Sequence, residues 1–143
     1  MVDKMESYWD GENWLDIIES EFAIKYYLGH NLHRRDGPAE IIYFNNGITY
    51  LEKYIINGKL HREGSPAAIF YYDNGNIETE LYYNNNKHHR IDGPSVIFYY
   101  ENGIIKKEIY FFDGIKINLK KLPFDLPIDT EEKRLYINLK YGE

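Results

Sequence analysis

Between Glu40 and Phe112 short apolar runs alternate with turn residues at a fixed beat. Ile41-Ile42-Tyr43-Phe44 precedes Asn46-Gly47, Ile69-Phe70-Tyr71-Tyr72 precedes Asn74-Gly75, and Ile97-Phe98-Tyr99-Tyr100 precedes Asn102-Gly103. Runs of this length, rich in Ile, Tyr and Phe and bounded by Asn and Gly, read as strands. Asn-Gly tolerates positive φ at both central positions of a type I′ turn, so each unit is predicted to be a β-hairpin with a two-residue loop. That register pairs Tyr72 with Ile77, Phe70 with Thr79 and Ala68 with Leu81, and paired residues share a face. One face then carries Ile42, Phe44, Leu51, Phe70, Leu81, Val96, Phe98 and Ile109, and is predicted to be the core. The other carries Ile41, Tyr43, Glu52, Tyr54; Ile69, Tyr71, Glu80, Tyr82; Ile97, Tyr99, Glu108, Tyr110, a row of phenols and carboxylates over an aliphatic floor.

The beat is an internal repeat. His33, His61 and His89 stand 28 residues apart, and the same offset relates Arg34, Arg62 and Arg90, then Pro38, Pro66 and Pro94, then Gly47, Gly75 and Gly103. No insertion or deletion interrupts it, which is the mark of stacked units that each contact their neighbours. Each proline sits at a strand start, where its missing N–H does least harm. Asp36-Gly37-Pro38 and Asp92-Gly93-Pro94 turn into that strand; the middle unit departs, with Gly64-Ser65-Pro66. The chain is therefore expected to be all-β, a single repeat domain over 1–143: an antiparallel meander of 28-residue hairpin repeats with about seven or eight strands. Residues 1–21 do not match the repeat and are read as an N-terminal cap, a short helix or irregular, with Trp9 and Trp14 as cap hydrophobes. Residues 22–116 form the array, Phe22 to Leu28 being the second strand of a truncated leading unit. Residues 117–143 are read as a proline-bounded linker and a C-terminal helix, N-capped by Asp129 or Thr130.

Composition narrows the function classes. With no cysteine among 143 residues, disulfides, thiolate zinc sites and cysteine nucleophiles drop out. A formal net charge of −6 disfavours general nucleic-acid binding and polybasic membrane binding. No apolar run reaches the ~20 residues that cross a bilayer, and Met1 to Glu6 lacks a leader pattern, so an intracellular, cytoplasmic protein without membrane insertion is expected.

Candidate chemistry lies in two places. The first is the repeat joint, His33, Arg34 and Asp36; His61 and Arg62; His89, Arg90 and Asp92. Equivalents two strands apart are separated by about 9–10 Å, too far to share one metal ion, so no metal or other cofactor is expected and the joint is read as structural. Arginines would pair with Asp36, Asp92 or a repeat-equivalent Glu, and histidines would bond the loop backbone. The second is the row of Tyr43, Tyr54, Tyr71, Tyr82, Tyr99 and Tyr110 with Glu52, Glu80 and Glu108. The same spacing places the glutamates outside retaining-glycosidase range, and no nucleophile elbow or phosphate loop is present, so no catalytic residue is assigned. Phenols offer low-entropy contact area, which makes this the candidate partner-binding face; the alternative reading is aromatic cross-strand stacking that holds the sheet together under the terminal segments.

The pattern His-Arg-x-Asp-Gly-Pro, an apolar strand, Asn-Gly, then Glu-x-Tyr resembles the MORN-variant repeats of bacterial, phage and giant-virus proteins over about residues 22–116. The resemblance implies a β-hairpin array used for scaffolding and partner binding. The Ile, Asn, Lys and Tyr bias is similar to that of AT-rich giant viruses, which implies a viral protein in the host cytoplasm or the virion. The reading is a non-enzymatic scaffold with a viral or host protein partner, open to homodimerisation through its sheet edges. The alternative is a carbohydrate- or small-ligand-binding module using the Tyr/Glu face.

Overall fold

The computed structural model describes residues 4–118, which form strands and turns with no helix among them. The helix expected at the C-terminus, and all of the linker beyond residue 118, lies outside the described residues. The strands are β1 (Lys4–Trp9), β2 (Trp14–Glu19), β3 (Ala23–Leu28), β4 (Asn31–Leu32), β5 (Glu40–Tyr43), β6 (Thr49–Lys53), β7 (Ile55–Ile56) and β8 (Lys59–Leu60). They continue as β9 (Ala68–Tyr71), β10 (Ile77–Leu81), β11 (Tyr83–Asn84), β12 (Lys87–His88), β13 (Val96–Tyr99), β14 (Ile105–Phe112) and β15 (Ile115–Ile117). The main sheet is an antiparallel meander ordered β1-β2-β3-β5-β6-β9-β10-β13-β14-β15; β4 pairs with β3, while β7–β8 and β11–β12 form small ribbons. This exceeds the expected seven or eight strands. The surplus comes from the N-terminal hairpin and from the short ribbons that link one long hairpin to the next.

The N-terminal segment departs from the expected cap. β1 and β2 pair along their whole length, from Lys4 opposite Glu19 to Trp9 opposite Trp14, and β2 pairs with β3, so residues 4–19 extend the sheet. The reason is local. Asp10 Oδ1 accepts the backbone N–H groups of Glu12 and Asn13 at 3.0 and 2.7 Å, and Gly11 takes φ 98°, which closes a tight reverse turn. Leu15 and Tyr8 face each other across it, and Leu15 is buried.

The Asn-Gly turns also differ from the prediction. The Gly75 N–H donates to the Tyr72 carbonyl, only Gly75 has positive φ, and Ile77 stands opposite Tyr71 rather than Tyr72. This is a type I turn closed by a glycine bulge, repeated at Gly47 and Gly103. The asparagine side chain fixes it by accepting the N–H two residues on: Asn46 from Ile48, Asn74 from Asn76 and Asn102 from Ile104, at 2.9–3.0 Å. Turns with positive φ at both central residues occur at the ends of the two short ribbons, at Asn57-Gly58 and Asn85-Asn86, and between β14 and β15 at Asp113-Gly114.

Nor is one face the core. Leu51, Ala68, Thr79 and Val96 are buried on the predicted core face, but Ala39, Ala67, Ser95, Ile69, Ile97 and Tyr110 are buried on the other. Beside the main sheet the described residues hold the β7–β8 and β11–β12 ribbons. One cluster of buried apolar side chains, Tyr110, Phe112 and Ile117, sits in the last hairpin.

Candidate functional site

The joints hold the densest polar contacts. Each begins where a strand leaves the main sheet: the backbone N–H of His33, His61 and His89 donates to the carbonyl of Tyr26, Tyr54 and Tyr82. Each imidazole then accepts, through Nδ1, the backbone N–H at the tip of the next ribbon: Asn57 onto His33 at 2.9 Å, Asn85 onto His61 at 3.3 Å and Asp113 onto His89 at 3.1 Å. An accepting Nδ1 places the proton of the neutral ring on Nε2. The histidine thus ties one repeat to the turn of its successor.

The arginine faces back. Its guanidinium lies over the tyrosine ring eight positions earlier, Arg34 over Tyr26 at 4.2 Å, Arg62 over Tyr54 at 3.7 Å and Arg90 over Tyr82 at 4.1 Å. Its Nη1 donates to the proline carbonyl four residues on, in all three copies. In the outer copies Nε also donates to the aspartate, Arg34 to Asp36 at 2.8 Å and Arg90 to Asp92 at 2.7 Å. The glycine between Asp and Pro gives the guanidinium room, since a Cβ at Gly37 or Gly93 would stand 2.9 Å from the arginine Cζ. Apart from the variable third position, every residue of His-Arg-x-Asp-Gly-Pro therefore has a part in the outer joints.

The middle joint keeps the stack and the proline bond without the carboxylate. Gly64, at φ 68°, occupies the aspartate position and Ser65 the glycine position. Glu63 points outward, its side chain 94% exposed and 4.0 Å from His61 Nε2. Among the described residues no carboxylate pairs with Arg62.

The first joint is completed by residues outside the repeat. Tyr8 donates to Asp36, and its ring lies 4.9 Å from Arg34 Cζ. Burial pushes Asp36 up, but the Tyr8 and Arg34 hydrogen bonds outweigh it and hold the carboxyl below its usual range. Asp10 accepts the Arg35 N–H at 3.1 Å, and its Oδ2 lies 3.6 Å from Nε2 of the buried His33. Its carboxyl is also depressed, because the Asn13, Glu12 and Arg35 backbone donors prevail over burial. The repeat picks out Tyr54 and Tyr82 as members of a row but not as platforms for a guanidinium, and nothing in it signals Tyr8 or Asp10, which precede its first copy.

The Tyr/Glu row is largely bonded to itself. Tyr71 donates to Glu52 at 3.0 Å and Tyr99 to Glu80 at 2.6 Å, across repeat boundaries. Burial and these carboxylates raise the pKa of both phenols. Tyr43 has Ile24 where such a glutamate would stand. Tyr110 is buried, its phenol pushed up to about 12 by burial and by Glu108. Tyr54 and Tyr82 carry the stacked arginines and line open clefts. One cleft of about 560 Å³ lies between the first and second joints, against Arg34, Asp36, Tyr54, Ile56 and Arg62. A second, of about 350 Å³, lies between the second and third, against Arg62, Tyr82, His89, Arg90 and Ile91. Both touch His61, Arg62 and Glu63.

Among the described residues no three His, Asp or Glu side chains cluster closely enough to hold a metal ion, and no helix is long and apolar enough to cross a membrane. Comparison of the chain with family models, curated proteins and solved structures finds no match.

Proposed function

We propose that the chain is a non-enzymatic, MORN-like repeat protein acting as an interaction scaffold that holds an extended segment of a partner protein, viral or host, along the line of joints. The observation that carries this reading is the pair of clefts, one repeat apart and joined at Arg62, each offering an aromatic ring, a guanidinium and an isoleucine. Repeat arrays recognise partners through such serial surfaces. Tyr54 and Tyr82 belong to this surface. A sugar- or small-ligand-binding module using the Tyr/Glu row has less support, because the Tyr71 and Tyr99 hydroxyls and the Glu52 and Glu80 carboxylates are already engaged with one another.

The test compares the native chain with Ile56→Glu and Ile91→Glu, which charge one cleft each, Ile91 being the variable position of the third joint. A partner crosslinked to cleft residues of the native chain, and lost from both variants with unchanged circular dichroism, supports the scaffold. Saturable binding on a glycan array that Tyr71→Phe and Tyr99→Phe abolish, with no protein crosslink, overturns it in favour of the sugar reading. Homodimerisation belongs to the same proposal, since β1 pairs on one side only among the described residues; the mass in solution reads it directly.

A further inference from the structure

Two of the three joints show what their arginine is built to hold. In the outer copies Nη1 is fixed by a proline carbonyl, the guanidinium face rests on a tyrosine, and Nε carries a carboxylate oxygen at 2.7–2.8 Å. Arg62 has the same rotational restraint, with Nη1 on Pro66 at 3.2 Å and Cζ 3.7 Å from the Tyr54 centroid, the shortest stack of the three. The carboxylate is missing because Gly64 carries no side chain. Both clefts open onto this guanidinium. A preorganised guanidinium with free in-plane donors favours planar oxyanions, and carboxylates above all where two donors align.

We infer that Arg62 is a binding site for a carboxylate supplied from outside the repeat array, seated on the guanidinium where Asp36 and Asp92 sit on Arg34 and Arg90. The carrier is an acidic side chain of the bound segment; this last step rests on the scaffold reading, whereas the carboxylate site itself does not. Glu63 works against any anion here, and its outward, 94% exposed side chain leaves the approach open. His61, His89 and Arg90 line the same cleft, and Asp92 is engaged by Arg90.

The measurement is the arginine Nε–Hε correlation in ¹⁵N-labelled protein, titrated with sodium acetate against sodium chloride at matched ionic strength. The Arg62 resonance is expected to shift saturably with acetate while those of Arg34 and Arg90 hold still. Gly64→Asp should abolish the response by filling the site from within, whereas Gly64→Asn, with the same positive-φ demand, should keep it. Asp92→Asn should make Arg90 newly responsive. An Arg62 resonance no more sensitive to acetate than to chloride, an undiminished response in Gly64→Asp, or a stronger response to inorganic phosphate than to acetate each overturns the site. A hexaglutamate peptide separates the two proposals. Peptide binding much tighter than acetate supports an acidic segment, and equal affinity leaves the carboxylate site standing while removing the segment as its carrier.

Discussion

Three copies of one joint in one chain make a controlled experiment. Each histidine accepts a backbone N–H through Nδ1, but the His33 side chain is 1% exposed whereas those of His61 and His89 are 24% and 20% exposed. Truncating each to alanine removes the same hydrogen bond, worth about 1 kcal/mol net. What differs is the fate of the orphaned donor. At His33 the Asn57 N–H is part-buried, so it bears about 1–3 kcal/mol of uncompensated desolvation, and the filled ring volume becomes a cavity worth about 1–2 kcal/mol more. The Asn85 and Asp113 donors are exposed and can turn to water. Loss of the 3.6 Å Asp10 contact adds little, because that carboxylate keeps its three backbone donors. The expected losses are about 3–6 kcal/mol for His33→Ala and about 1–2 kcal/mol for His61→Ala and His89→Ala. Urea unfolding followed by circular dichroism reads the order, and hydrogen exchange at Asn57 locates the loss, since a repeat array can open in parts. Equal losses at all three positions, or a larger loss at His61, would refute the claim that burial of the orphaned donor sets the cost.

Further expectations concern the parts of the joint and the row beside it. Gly37→Ala and Gly93→Ala should each cost about 1–3 kcal/mol, because the new Cβ meets the arginine Cζ at 2.9 Å and lifts it off its tyrosine, whereas Ser65→Ala at the equivalent middle position should be near neutral in the same urea assay. Tyr99→Phe should destabilise by about 1 kcal/mol or more through the lost bond to Glu80, while Tyr43→Phe, which has no such acceptor, should be within about 0.5 kcal/mol of the native chain. His88 stands where the earlier repeats carry Leu32 and Leu60, sandwiched between Tyr83 and Phe111 with Nδ1 buried and lacking a well-aligned partner. Burial lowers its pKa from 6.5 against the opposing pull of the Tyr82 backbone. A depressed histidine contributes stability that is present above about pH 6.5 and lost as pH falls through the lower folded value, with a slope of at most about 1.4 kcal/mol per pH unit. The stability difference between His88→Leu and the native chain should therefore grow in favour of leucine between pH 7.5 and 5.5, and a difference that stays constant would remove His88 as the titrating group.

What could be read from the sequence follows from what the repeat tests three times. Arg34–Asp36 and Arg90–Asp92 are two residues apart, so their pairing needs no knowledge of the ribbon between them. The tyrosine under each guanidinium lies eight residues back, across the small ribbon that periodicity alone does not reveal, and so the stack was illegible. The Asn-Gly turns were legible as turns and misread in type, because Asn before Gly satisfies both a two-residue loop and a type I turn with a glycine bulge. Only the opposition of Tyr71 and Ile77, a register fact, separates them. Residues 4–19 had no copy to be checked against, and the Trp14, Ile17, Ile18 spacing fits a helix as well as a strand; Asp10, closing its turn and then reaching His33, decides for the strand.

The same reasoning explains why the departures from the repeat matter more than its matches. A contact made three times is held in place by packing, and its residues are accounted for once the fold is. At Gly64 the backbone moves to positive φ and the carboxylate vanishes, yet Arg62 keeps both its ring and its proline carbonyl, so the restraint on the guanidinium survives the loss of the ion it restrains elsewhere. The stack on Tyr54 and the proline bond are shared by all three copies and belong to the fold; what sets the middle copy apart is a guanidinium held in the same pose with, among the described residues, no carboxylate on its Nε. That uncommitted donor is where a carboxylate from elsewhere would seat, and the two clefts that meet there are the route by which one can arrive.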